Sequence, residues 1–422
     1  MERPRGTRDF LPDEMARRRE IERAMRRTAL EFGYGEVQTP TFEQTDLFVA
    51  KSGEAIVEEI YVFEDKGGRS LSLRPELTAA VMRLYSTSLT HAPKPVRVFY
   101  TGPCFRYERP QKGRYREFFQ FGAELIGTPQ PEGDAEIIAL AVRSIEAAGM
   151  EDLEVRVGHV GALRALLGSL GVPTEMAAKA FPLIDKGDME GLRGLLMDKV
   201  EYSSIELIED YVSTTGDASV VEGAIASLAR FPEVTEALTR LKASLEQLDA
   251  YKGMEYEVDL GIARGLDYYM GVVFEVDWQG LGAEKQVCGG GAYELGQLFG
   301  MDNVPATGFA IGLDRVDIAV SLSSQDEPAR AGALVVPMER SGEVMHLAVA
   351  AAEALRSSGI RTELEVMRRG TGKALKGADA RRFRWAVIIG SDEVAQGKVA
   401  IKDLESGEQR MLALDEFGDL LV

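Results

Sequence analysis

Arginine- and glutamate-rich positions alternate with apolar ones at helical spacing from Asp13 to Phe32, and Gly33 ends the run, which predicts an amphipathic helix. GYGEVQTPTFEQTDLF follows as strand and loop, with Pro40 at an extended position. Next the pattern predicts a short hairpin (Ile60 to Phe63, then Ser70 to Leu73), a turn and helix over LRPELTAAVMRLY, and a strand over VRVFYTGPCFRYE. Asp134 is expected to cap a helix whose Ile137, Ile138, Ala141, Val142 and Ile145 fall on one face, with Gly149 at its end. From about Val160 to Tyr251 helix follows helix, and Leu238, Leu241, Leu245 and Leu248 form a core stripe. Strand-like residues return with YEVDLGIARGLDYYMGVVFEVD and run to a glycine cluster, Gly289 to Gly291, after which GFAIGLDRVDIAVSL reads as helix. A helical block is thus inserted into a mostly antiparallel sheet domain. Ser323 to Ala331 is polar and carries a proline, as a linker does. Beyond it the strands ALVVP, RTELEV, WAVIIG and KVAIKDL alternate with helical runs, the first from Val344 to Ser357, giving a small α/β domain.

The expected fold class is therefore α+β. Residues 1–322 form a sheet domain with a helical insertion at about 160–251, residues 323–331 a linker, and residues 332–422 a C-terminal α/β domain.

Composition narrows the chemistry. A net charge of −19 over 422 residues argues against a surface coated for nonspecific DNA binding, so any contact with nucleic acid is local. Two distant cysteines, Cys104 and Cys288, make no zinc framework and suit a reducing compartment. The absence of a signal peptide ahead of Gly6, and of any apolar run near ~18 residues, leads us to expect a cytoplasmic protein that meets no membrane. Three histidines, His91, His159 and His346, support neither a Ser-His-Asp triad nor an HExxH pair.

Two stretches carry the chemistry. In FRYERPQKGRYREFFQFGAELIG (Phe105 to Gly127), arginines, a lysine and three carboxylates sit on two strands joined at Pro-Gln-Lys-Gly. Rigid strands hold guanidinium forks in the geometry that phosphate oxygens need, so this reads as a polyphosphate site; a merely solvated hairpin is the plainer reading of the same charges. The second stretch is ARGLDYYMG, Ala263 to Gly271. A further run, Arg368 to Arg384, has seven positive charges against Asp379 alone, and reads either as a docking patch for RNA phosphates or as a solvated helix face.

The order of these pieces closely resembles histidyl-tRNA synthetase, a class II aminoacyl-tRNA synthetase, over nearly the whole chain. GYGEVQTPTFEQTDLF, TGPCFRYERPQKGRYREFFQFGAELIG and GFAIGLDRV resemble the three class motifs, and ARGLDYYMG resembles this family's histidine signature. The resemblance implies a class II catalytic domain followed by an anticodon-binding domain. It also implies activation of L-histidine with ATP to histidyl-adenylate, then transfer to the 3′ end of histidine tRNA, in a homodimer whose first motif packs across a two-fold axis. Arg106, Arg264 and Arg315 would be the catalytic, ATP-binding cations. Glu76, Thr78 and Gln120 would take the α-amino group, Glu124 and Tyr268 would bracket the imidazole nitrogens, and Tyr269 would line the pocket. Arg109, Gln111 and Arg114 would meet the acceptor end of the tRNA. Mg2+ is implied by the polyphosphate rather than by any protein motif.

Two departures stand out: GGGAYE, with Ala292 and Glu294, where the family commonly has GGGRYD, and Phe119 where a polar ring-bearing residue is usual. A noncatalytic relative, the regulatory subunit of ATP phosphoribosyltransferase, is the alternative; such proteins usually lack the C-terminal domain and the intact RGLDYY segment, and this chain has both. A Rossmann dinucleotide enzyme fails because no GxGxxG joins a strand to a helix.

Overall fold

The computed structural model describes residues 2–107, 115–197, 199–263, 269–302, 304–323 and 329–420. The chain divides into two units, Met1–Ser324 and Gln325–Val422.

The first unit opens with α1 (Pro12–Glu31), started by a proline in its first turn, where the Glu14 carboxylate accepts the Leu11 N–H. There follow β1 (Gly35–Glu36), β2 (Phe42–Gln44), α2 (Thr45–Ser52), β3 (Val62–Glu64), β4 (Ser70–Leu73) and α3 (Thr78–Leu84). The long pair β5 (Val96–Phe105) and β6 (Glu117–Ile126) precedes α4 (Pro131–Ala147) and β7 (Glu154–His159). The helical block holds α5 (Val160–Ser169), α6 (Thr174–Asp185), α7 (Met189–Leu196), α8 (Tyr202–Val212), the short β8 (Thr215–Gly216), α9 (Ser219–Ser227) and α10 (Pro232–Leu248). The unit closes with β9 (Glu257–Asp259), β10 (Tyr269–Asp277), β11 (Gln286–Tyr293), β12 (Ala306–Gly312) and α11 (Leu313–Ser323).

Among the described residues nine strands make one sheet in the order β1-β5-β6-β12-β11-β10-β7-β9-β8, antiparallel except at β1/β5 and β7/β9. The strand period of two then sorts the side chains. Phe99, Phe121, Ala123, Leu125, Phe309 and Ile311 enter the core shared with α1, α4, α5 and α10, where Leu238, Leu241, Leu245 and Leu248 are buried. The alternate residues, Tyr100 on β5, Gln120 and Glu124 on β6, and Gly308 and Ala310 on β12, leave that core for the opposite face. That face carries the cleft described below.

Two expectations fail in this unit. Asp134 does not cap α4: the helix starts at Pro131 after Gln130, and Asp134 instead receives Arg240 (2.9 Å) and Ser244 (3.2 Å) from α10. A carboxylate in the first turns of a helix favours that end electrostatically without capping it, and here it also ties two core helices together. The run GFAIG is a strand, not the start of a helix, because β6 and β11 pair with it on both sides; helix begins only at Leu313. The helical block also returns β8 to the sheet, where it pairs with β9.

The second unit contains β13 (Ala333–Pro337), α12 (Gly342–Ser357), β14 (Thr362–Leu364), α13 (Thr371–Ala380), β15 (Trp385–Ile389), α14 (Ser391–Gln396), β16 (Val399–Asp403) and β17 (Gln409–Leu412). Its sheet runs β14-β13-β15-β16-β17, parallel through β15 and antiparallel beyond. Within the basic run, Arg369, Arg381 and Arg384 pair with Glu365, Glu363 and Asp403, so part of its charge is matched inside the unit.

Candidate active site

On the sheet face opposite the helices lies a cleft of about 450 Å³. Its lining brings together Glu76, Thr78, Arg106, Gln120, Glu124, Tyr269 and Arg315, residues separated by up to 239 positions in the chain. Arg264 and Tyr268, like Arg109, Gln111 and Arg114, lie outside the described residues.

Two of the cations are held by main-chain carbonyls. Arg106 follows β5 directly; its Nε donates to the Pro75 carbonyl at 3.0 Å, and its guanidinium lies over the Phe118 ring. Arg315 sits in the first turn of α11 and donates to the Gln286 carbonyl on β11. A carbonyl fixes a guanidinium without adding an opposite charge of its own, so these two contacts hold the arginines in place at the cleft wall. Asp314, beside Arg315, is buried; it accepts the Phe119 N–H at 2.7 Å and Arg18 at 2.7 Å, and also pairs with Arg8. The ring of Phe119 stacks beneath Arg18, 4.3 Å from the guanidinium carbon. The unusual phenylalanine therefore has a cation over its face.

The segment LRPE is organised by Arg74 rather than opened by it. Arg74 is buried and donates to the carbonyls of Pro103, Thr39 and Pro40, which staples the stretch around Pro40 to β5. A Cβ at Gly102 would lie 2.3 Å from the Arg74 guanidinium, so a side chain there would push that guanidinium out of its place. Glu76 then faces the cleft. Its Oε1 accepts the Ala79 N–H and the Lys51 ammonium, both at 3.0 Å, while Oε2 carries no hydrogen bond among the described residues. Lys51, buried at the end of α2, gives no signal of its role in the sequence.

At the floor, Glu124 is fully buried on β6. Its Oε1 accepts the Tyr100 hydroxyl at 2.9 Å and its Oε2 the Tyr293 hydroxyl at 2.6 Å. Burial pushes its carboxyl up to about 7, against the opposing pull of the two tyrosines and Thr78, with Glu76 adding a smaller upward push. Gln120 accepts the Cys104 thiol at 3.3 Å, and burial raises that thiol to about 12, which leaves it protonated as a donor. Tyr293, the tyrosine of GGGAYE, thus reaches the carboxylate at the floor, and Tyr269 lines the wall. Tyr107 stands outside the lining, half exposed, edge-on to Tyr61 and under Arg116.

The arrangement combines fixed cations near one part of the cleft with acceptors at another. That suits a ligand that carries both anionic and hydrogen-donating groups.

Comparison with known proteins gives the same picture. The family model described as histidyl-tRNA synthetase matches residues 6–316, and one described as an anticodon binding domain matches 333–422. A histidine–tRNA ligase of Archaeoglobus fulgidus is 48% identical over 100% of this chain and 99% of its own length. That of Methanocaldococcus jannaschii is 41% identical over 98% of each. Among solved structures, apo histidyl-tRNA synthetase of Staphylococcus aureus is similar with a TM-score of 0.70 at 27% identity, covering 100% of both chains. An ATP phosphoribosyltransferase regulatory subunit/histidyl-tRNA synthetase from Bacillus halodurans is similar with a TM-score of 0.80 at 26% identity, covering 92% of this chain and 98% of that one.

Proposed function

The chain belongs to the histidyl-tRNA synthetase family, and we infer from that premise that it activates L-histidine with ATP and transfers it to the 3′ end of histidine tRNA. A regulatory role without catalysis is not favoured, since the full-length relatives at 41–48% identity are ligases by name. The observation that carries the site assignment is the meeting of Glu76, Thr78, Arg106, Gln120, Glu124, Tyr269 and Arg315 in one cleft.

In the first step an oxygen of the histidine carboxylate attacks the α-phosphorus, and pyrophosphate leaves with the electrons of the broken P–O bond. No side-chain base is needed, because the carboxylate is already ionised; alignment and charge set the rate. Arg106 and Arg315, fixed by the Pro75 and Gln286 carbonyls, hold the nucleotide phosphates. Arg264 is the third cation of the reading, bridging the α-phosphate and the attacking carboxylate. Glu76, Thr78 and Gln120 receive the ammonium, and Glu124 with Tyr268 receives the ring nitrogens. An isostere without ring N–H groups leaves buried acceptors unpaired, which gives selectivity without editing.

The nucleotide needs a divalent ion, which we take to be Mg2+. The ion would come with the nucleotide and would offset charge on its phosphate oxygens. Arg109, Gln111 and Arg114 are assigned to the tRNA acceptor end and the C-terminal unit to the anticodon. We also assign the protein to the cytoplasm, as a homodimer; no helix among the described residues is long and apolar enough to cross a membrane.

The test is histidine-dependent ATP–pyrophosphate exchange across a panel of amino acids. Exchange with histidine alone, falling about 100- to 1,000-fold in Arg315→Ala, is the expected result. No exchange from a folded, ATP-binding protein overturns the reading.

A further inference from the structure

Tyr100 is not itself part of the cleft lining, yet its hydroxyl meets two residues that are, Thr78 and Glu124. It is buried on β5 and opposite Gly122 in the sheet register, and a Cβ at Gly122 would lie 2.6 Å from its ring. The phenol therefore lies across that glycine and reaches the diagonal neighbour, Glu124, on the adjoining strand.

A phenol has one proton to give. Here it goes to Glu124 Oε1 at 2.9 Å, because an ionised carboxylate only accepts. Thr78 Oγ1 stands 3.4 Å from the same phenol oxygen, which has no second proton to return. The Thr78 hydroxyl must then send its own proton inward, toward Tyr100 or the Glu124 carboxylate, and keep its lone pairs for the cleft. Tyr293 donates to the other carboxylate oxygen from β11.

We propose that Tyr100 is a positioning residue that fixes the donor–acceptor polarity of the pocket, holding Glu124 as an acceptor for a ring N–H and Thr78 as an acceptor for an ammonium. The proposal rests on the assignment of this cleft to histidine. Among the described residues, the charged and titratable groups facing Glu124 are Tyr100 from β5, Tyr293 from β11 and Glu76 from the turn ahead of α3, the last paired with Lys51. Removing the Tyr100 hydroxyl removes a donor that favours the carboxylate, so Glu124 keeps its proton to higher pH and presents a poorer acceptor. Thr78 simultaneously loses the partner that orients it.

The experiment measures exchange kinetics of Tyr100→Phe and Tyr293→Phe between pH 5.5 and 9, with thermal melting as the check on folding. Free histidine titrates identically with every variant, so a difference between profiles belongs to the protein. For Tyr100→Phe the expected result is a histidine KM raised about ten- to a hundredfold, as for loss of a hydrogen bond to a charged group. The ATP KM is unchanged, and the acid limb of kcat/KM for histidine moves to higher pH. Tyr293→Phe moves the limb the same way, which supplies the second reading if Tyr100→Phe melts early. An unmoved limb in both variants, or a rise in both KM values together, overturns the proposal. Glu124→Gln separates the two levels of inference: if it still activates histidine normally, the assignment of the pocket fails and not only the role of Tyr100.

Discussion

Glu124 and His159 are buried titratable groups whose proton affinities are displaced in opposite directions. Burial lifts the Glu124 carboxyl to about 7, so between the unfolded value of 4.5 and 7 the folded chain holds a proton that the unfolded chain lacks. Its stabilising contribution is complete below 4.5 and is lost as pH rises through 7. His159 ends β7, and its Nδ1 accepts the Ala162 N–H as the cap of α5; burial, helped by Arg240, lowers it to about 4. Here the unfolded chain takes the extra proton, so stability is present above 6.5 and falls as pH drops toward 4. The two slopes offset each other between 4.5 and 6.5. Glu124→Gln removes one of them: at pH 8 the variant should be more stable than the parent by about 1–3 kcal/mol, and its acid flank should steepen, by melting curves across pH. The same change should abolish histidine activation, since a group ionised at a cost to folding is retained for its acceptor oxygens.

At the scale of elements, β12 places a glycine where β6 places Glu124. Gly308 is in register with Glu124, and a Cβ there would lie 1.7 Å from Oε2. Gly308→Ala should therefore displace the carboxylate and raise the histidine KM about tenfold or more while leaving the ATP KM near its parent value, by exchange kinetics. The sequence announces this strand poorly. A central strand flanked on both sides shows no clean alternation, and the apolar spacing of IGLDRVDIAV continues backward into GFA, so the helix pattern spills over the strand. The long pair β5 and β6, the helical block and the strands of the C-terminal unit were legible, because each has a local period. Tyr100, Lys51 and the buried Arg74 were not. Their partners lie on other elements, and only strand register or the packing of α2 brings them within reach.

For the molecule as a whole, the stretch around Pro40 is stapled to β5 by Arg74 and followed by a separate three-stranded sheet in the order β2-β4-β3. That sheet exposes Phe42 (52%), Val62 (42%) and Phe63 (41%), with the two phenylalanine rings edge-on to each other. Clustered aromatic side chains in water are what a partner subunit would cover. On the proposed homodimer, the parent protein should sediment as a dimer and Phe63→Asp as a monomer with lowered histidine activation; an active monomer at full rate would remove the dimer from the account.

The large sheet behaves otherwise at its borders. Its two outermost strands, Gly35–Glu36 and Thr215–Gly216, are each only two residues long. A strand that short offers too few free N–H and C=O groups to template another chain, so the broad hydrogen-bonded surface ends without an adhesive rim. One of these end pieces is supplied by the helical block, through β8 on β9. Excising that block would move the border to β9, itself three residues with a carboxylate at each end (Glu257–Asp259), so the sheet would still end on a short, charged strand that resists pairing with another chain.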